Sequence, residues 1–366
     1  MKSPRRQAVL ADMVLSYYLI KYPYALAWHF KRWLGATPSA VFYCGAELDP
    51  VIFAPVQKHL KPVPVVAANS RLKHKLEQQG ITSQVLPVFP GGVIMARHAA
   101  YKFPLSRIRK VCLSHGAFNF KRFASAESHN LLDAYCFTSE TDVANARAAG
   151  IRSGVAVGYP KLDRAFDGSI NSTTRAALRQ SLGFDNGKPV ILFTATWNRS
   201  GVAAVERWYD RLASFTPDYN VLVTVHPWTD KALRDRIAET PEVVLIEGYD
   251  ILDYIDLAEV CIGDTSSIIG ECCALNKPLV TFRVEENVRS VPAVMAMIRS
   301  ISWQVDSADE LLDALPVALA NPHTHDAERA AANRMMFDEL DGQAGKRAAE
   351  VILRFFPELR PDAAPA

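Results

Sequence analysis

The chain alternates short β-branched runs with helical stretches, and it does so in two separate series. Alternation of this kind specifies parallel sheets, because a parallel strand pair needs a crossover long enough to hold a helix. In the first series the runs 40–45, 64–68, 84–88, 110–114, 134–138 and 155–157 read as strands. Segments 71–79 and 141–149 read as helices between them, with Gly80 and Gly150 as their stops. A polar stretch, 167–174, separates the two series. Beyond it the pattern predicts a helix over 174–182 and strands at 190–194, 221–225, 243–246, 260–262 and 279–282. Three helices, 308–320, 326–340 and 344–355, close the chain. At 366 residues the chain exceeds the size at which one core stays efficient. The reading is therefore two doubly wound α/β domains, 35–165 and 166–356, facing a central cleft, with the last helix free to return to the first domain. Ligands of such sheets bind beyond the carboxyl ends of the strands, so functional residues are expected just after strands.

Composition is that of an ordinary globular protein, with 49% apolar and 22% charged residues. A net charge of +2 gives no ground for a nucleic-acid partner. A local basic cluster, Lys102, Arg107, Arg109, Lys110, Lys121 and Arg122, is either a solvated face or an attractor for an anionic ligand. The cysteines Cys44, Cys112, Cys136, Cys261, Cys272 and Cys273 form no C-x-x-C pair and lie mostly in apolar runs. They read as small core hydrophobes in a reducing compartment, with no zinc site.

Residues 1–34 form a basic, aromatic, helical segment, with Lys2, Arg5, Arg6, Lys21, Lys31 and Arg32 set against the single acid Asp12. Tyr17, Tyr18, Tyr22, Tyr24, Trp28, Phe30 and Trp33 lie among them. Asp12, Lys21 and Pro23 interrupt any apolar core, which counts against a cleaved signal and against a spanning helix of roughly 20 residues. Two readings stay open: a helix lying on an anionic membrane surface, or one packed on the first domain. The expected location is cytoplasmic, peripheral on the inner face of the plasma membrane in the first case.

The most informative stretch is 260–279, VCIGDTSSIIGECCALNKPL. A strand ends in Gly263-Asp264, and Thr265-Ser266-Ser267 opens a helix running to about Leu275. A helix start leaves N–H groups unpaired and carries partial positive charge, which suits an anion. Ser267 and Glu271 share one helical face, so a carboxylate one turn in reaches ribose hydroxyls when phosphate occupies the start. Capping by Thr265 or Ser266 explains the same hydroxyls equally well. Asp264 reads as a turn or cap residue, since no D-x-D pattern or second carboxylate at metal spacing accompanies it, and neither metal nor cofactor is expected. His115 follows one strand, and His226, with Pro227, ends another, because proline cannot continue a central ladder. Either histidine is equally a strand-end side chain bonded to backbone. Thr196 and Trp197 follow the strand at 190–194, where Trp197 lines a site or fills the core. No Walker motif and no G-x-G-x-x-G follows a strand, which argues against the usual ATPases and dehydrogenases. Gly91-Gly92 reads as a loop signal only.

The segment GDTSSIIGECCALNKPLV resembles the signature of the CDP-glycerol glycerophosphotransferases, the teichoic-acid polymerase and primase family. Further likenesses follow in order: Ser114-His115-Gly116, Gly158-Tyr159-Pro160-Lys161-Leu162-Asp163, Thr194-Ala195-Thr196-Trp197-Asn198, Val225-His226-Pro227 and the closing Phe337-Asp338-Glu339-Leu340-Asp341-Gly342-Gln343-Ala344-Gly345-Lys346-Arg347. Departures are Thr265 in place of the usual Tyr, Gly263 in place of Thr, Asn198 in place of Arg, and the sequence after His115-Gly116. The resemblance implies a GT-B fold of two Rossmann-like domains. It implies transfer of a glycerol-phosphate or related polyol-phosphate unit from a CDP-linked donor to a polymer or lipid-linked acceptor of the cell envelope. It gives His115 the role of general base. His226, Thr265, Ser266 and Ser267 would hold the donor diphosphate, and Thr196, Trp197 and Glu271 the nucleoside. The rivals are a GT-B glycosyltransferase using a nucleotide sugar, a UDP-sugar 2-epimerase-like isomerase, and a non-catalytic nucleotide-sugar-binding protein.

Overall fold

The structure, a computed structural model, describes residues 21–117, 126–285 and 291–362. The first sheet contains β1 (Ala40–Cys44), β2 (Val65–Ala67), β3 (Ser83–Val85), β4 (Gly92–Met95), β5 (Arg109–Leu113), β6 (Ala134–Phe137) and β7 (Gly154–Ala156). Its order is β3-β2-β1-β4-β5-β6-β7, with every pairing parallel. The second contains β8 (Val190–Ala195), β9 (Asn220–Val225), β10 (Val243–Leu245), β11 (Val260–Gly263), β12 (Leu279–Phe282) and β13 (Trp303–Val305). Its order is β10-β9-β8-β11-β12-β13, again all parallel. The central strands read as continuous apolar runs because helices cover both faces; all six residues of β8 are buried. The six cysteines are free thiols in these interiors.

Two strands are absent from the sequence reading. β13 is three residues long and carries no β-branched run before its final valine. β4 begins at Gly92, which the sequence marks as a loop. The glycine is there for space: a Cβ on Gly92 would lie 2.0 Å from Cε1 of the Phe356 ring. Phe356 follows the helix Ala344–Phe355, which packs on the helix Asp49–Gln57 and on β5 and β6 of the first sheet. The last helix thus crosses back to the first sheet.

The crossing is anchored by charge. The Asp163 carboxylate accepts from the N–H of Ala344 at 3.0 Å and of Gly345 at 2.7 Å, capping the closing helix from a distant segment. Arg347 donates from Nε to the Val157 carbonyl at 2.9 Å and forks onto Asp341. Gly345 is small because a Cβ would meet the Pro55 backbone at 2.7 Å. Two sequence motifs lying about half the chain apart are one structural joint.

Residues 21–33 are helical, while 1–20 lie outside the described residues. One face docks on the first domain: the Tyr24 hydroxyl donates to the Val88 carbonyl and the Trp28 indole to the Pro90 carbonyl, both at 2.7 Å. The other face exposes Tyr22, Leu26, Phe30 and Trp33. Of the two alternatives, packing on the first domain is what the structure shows.

Replacing Gly92 by Ala should destabilise the protein by about 1–3 kcal/mol through overpacking against Phe356. Adding Phe356→Leu should recover much of that loss in chemical denaturation. Additive effects would show that the ring is not seated on the strand.

Candidate active site

In each sheet the order in which strands are added reverses across one strand pair, β1/β4 in the first and β8/β11 in the second. Ligand crevices open beyond the carboxyl ends of strands at such points. The segments after β8 and β11 meet there around Asp264, which is 1% exposed. Its carboxylate accepts from three backbone amides: Thr196 at 3.0 Å, Ala204 at 2.9 Å and Ser266 at 2.9 Å. Burial pushes this carboxyl above the usual carboxylate range, and the amide donors pull it part of the way back. Asp264 is a tie between two loops, held by backbone amides and by Thr196.

The helix that follows spans Ile268–Ala274, with Ser267 in the capping position and making no side-chain cap bond. Capping by Thr265 does not occur: its hydroxyl donates to the Val202 carbonyl at 3.1 Å. The Ser266 hydroxyl is buried and accepts from Thr194 and from the Ile268 N–H, both at 3.4 Å. Ser267, half-buried, is the hydroxyl of the three that the local structure does not consume.

Glu271 lies one turn in, with a side chain 4% exposed, and both its oxygens accept from Lys161 Nζ at 2.8 and 2.9 Å. Lys161 comes from the junction between the sheets and is equally buried. The carboxylate expected on a ribose is therefore held by a lysine of the other half of the chain. The missed signal is Lys161 itself, which the sequence shows only as part of the family-like segment Gly158–Asp163.

The loop after β9 supplies a second cluster. The Trp228 N–H donates to His226 Nδ1 at 3.1 Å, so the neutral ring carries its proton on Nε2. Trp228 stands edge-on to both His226 and Trp197, with centroids 5.2 and 5.7 Å away. Trp197 is half-buried and Trp228 is 67% exposed, so neither is a core aromatic. Asn198 and Arg199 both bond Asp230, which staples the β8 loop to the β9 loop. The structure thus brings Thr196, Trp197, His226 and Thr265–Ser267 to the carboxyl ends of three adjacent strands.

His115 is in the other half, exposed, two residues past β5. The segment 118–125 that follows lies outside the described residues. Near it, at the first sheet's own reversal, the fully buried Asp49 accepts from the Gly45 and Ala46 amides and from Arg97 Nε at 2.9 Å. Arg97, just past β4, interacts electrostatically with Tyr159 and with Tyr249 of the second half. It was invisible in sequence because β4 was. Among the described residues no three His, Cys, Asp or Glu side chains gather as a metal site.

Lys161→Met strips a buried carboxylate of its counter-charge and should cost about 3–5 kcal/mol in chemical denaturation. The double variant with Glu271→Leu should recover most of it. A single-variant loss below about 1 kcal/mol would mean that the pair is solvated or open in solution.

The chain can now be placed among known proteins. The sequence model of the family described as CDP-glycerol:poly(glycerophosphate) glycerophosphotransferase matches residues 127–354, more than half of the chain, beginning after His115. Two Staphylococcus aureus proteins, the teichoic acid ribitol-phosphate polymerases TarK and TarL, are 26% and 27% identical over 207 and 209 residues. Those matches take in 53% of this chain but only 40% and 37% of the relatives. The wall teichoic acid polymerase TagF superposes with a TM-score of 0.67 at 13% identity, covering 93% of this chain and 98% of that one. The UDP-GlcNAc 2-epimerase of Neisseria meningitidis superposes with a TM-score of 0.57 at 17% identity, covering 86% and 99%. The shared architecture is GT-B, two parallel-sheet α/β domains. Over residues 127–354, which carry the loops after β8, β9 and β11, the chain belongs to the CDP-glycerol:poly(glycerophosphate) glycerophosphotransferase family.

Proposed function

We propose that the protein transfers a glycerol-phosphate or related polyol-phosphate unit from a CDP-linked donor to a polymer or lipid-linked acceptor of the cell envelope. The observation that carries this is the coincidence of the family match with the crevice: loops after β8, β9 and β11 converge within residues 127–354. In this reading the donor diphosphate lies at the start of the helix Ile268–Ala274, where the backbone dipole and the Ser267 hydroxyl favour an anion. His226 donates from Nε2 to the departing nucleotide phosphate, and Trp197 and Trp228 offer apolar faces to the nucleoside. Glu271 reaches the ribose only if Lys161 shares it. An acceptor hydroxyl oxygen attacks the distal phosphorus, the bond to the CMP oxygen breaks, and His115 takes the hydroxyl proton. Asp49 fixes the Arg97 guanidinium in place on the acceptor side.

We infer that the first helix, at the end of the first sheet away from the crevice, is the part of the protein that meets a membrane. No helix among the described residues is long and apolar enough to cross one. The helix 21–33 nevertheless shows Tyr22, Leu26, Phe30 and Trp33 on one outward face, spaced at about one helical turn. Interfacial aromatics on an otherwise basic segment suit a peripheral helix on an anionic leaflet.

Ser267→Ala should weaken binding of CDP by about 1–3 kcal/mol in isothermal titration, as for a lost hydrogen bond to a charged group. His115→Ala should leave that affinity unchanged while turnover of CDP-glycerol falls by roughly 10²–10⁴-fold. Near-normal turnover in His115→Ala would remove it as the base. Selective thermal stabilisation by UDP over CDP would point instead to a nucleotide-sugar enzyme.

A further inference from the structure

A second recess lies at the opposite end of the first sheet, away from the crevice. It has a volume of about 600 Å³, within the span typical of small-ligand sites, roughly 300–1,000 Å³. Ser39, Gly91 and Arg109 line it, at the amino ends of β1, β4 and β5. Trp28, His29 and Arg32 of the first helix form one wall, and Phe355 and Phe356 another. Three arginines face it: Arg32, Arg107 and Arg109. Glu358 is the one acid of the lining. Arg109 is partly neutralised by Asp133 at 2.6 Å. Arg32 lies over the Trp28 ring at 5.2 Å, and neither it nor Arg107 has an ion pair among the described residues. Lys110, a member of the same basic run, does not contribute: it is buried, donating to the Leu105 and Ile108 carbonyls.

We propose that this recess binds the phosphate of an anionic membrane lipid. The inference rests on the membrane face assigned above to residues 21–33, and it adds a specific headgroup site to that face. On a helix of about 3.6 residues per turn, His29 and Arg32 occupy the flank between the docked side (Tyr24, Trp28) and the outward aromatic stripe. The recess therefore opens beside the surface that would enter the leaflet. Guanidinium groups meet a phosphodiester through paired N–H donors, with a fit that a lysine ammonium cannot reproduce.

The test is co-sedimentation of the full chain with phosphatidylcholine vesicles, with and without phosphatidylglycerol. Wild type should prefer the anionic vesicles, and Arg32→Gln and Arg107→Gln should each lower that preference about fivefold, the equivalent of about 1 kcal/mol per basic residue. The charge-preserving Arg32→Lys/Arg107→Lys double variant should lose most of the preference too. If it binds like wild type, the attraction is diffuse and the site is refuted, although the membrane face stands. Phe30→Ser/Trp33→Ser should lose binding to both vesicle types. Absence of wild-type binding to either vesicle would overturn the membrane face and the site together. Loss of the anionic preference on adding soluble glycerol phosphate, with thermal stabilisation that Arg107→Gln abolishes, would assign the recess to a free phosphate and overturn the lipid.

Discussion

The relation between the two sheets rests on the short buried turn Pro160–Leu162 and the aspartate that follows it. From it Lys161 reaches into the second half to neutralise Glu271, and Asp163 caps the helix that returns to the first half. Both charges are buried, so each is tolerable only while its partner is in place. Buried charges of this kind reward one arrangement and penalise its neighbours, which makes the joint a register for the cleft between the sheets. It also couples that register to the candidate donor site, because Glu271 is on the helix whose start is offered to the diphosphate.

The same logic of buried carboxylates recurs at the two points where strand order reverses. Asp264 ties the β8 and β11 loops through three amides, and Asp49 ties the β1 loop to Arg97. Each is consumed by positioning: Asp264 fixes the segments beside Ser267, and Asp49 fixes Arg97 at the carboxyl end of β4. Loops tied in this way at strand ends hold polar groups in fixed positions, the kind of preorganisation on which the proposed reaction would depend.

Much of the architecture was legible. Eleven of the thirteen strands among the described residues followed from hydrophobic runs, because strands covered by helices on both faces are mostly apolar. The two that escaped did so for reasons outside local sequence. Gly92 is a strand residue because Phe356, far along the chain, occupies the space of its side chain. β13 pairs with β12 on the strength of packing and register, with only three residues of its own.

Local sequence determined the periodicity, the strand-to-helix transitions and the hydroxyl-rich helix start, since these depend on residues within a turn of one another. The family motifs could be found on the same terms. Which of those residues are free for chemistry was decided by tertiary structure. Thr265 and Ser266 look identical to Ser267 in sequence, yet the first is bonded to Val202 and the second is buried on Thr194. Glu271 is paired by a lysine more than a hundred residues away, and Trp228 is drawn to Trp197 only by the adjacency of β8 and β9. A hydrogen-bonding group is available to a ligand only if no neighbour in space has already claimed it, and neighbours in space are what the fold assigns.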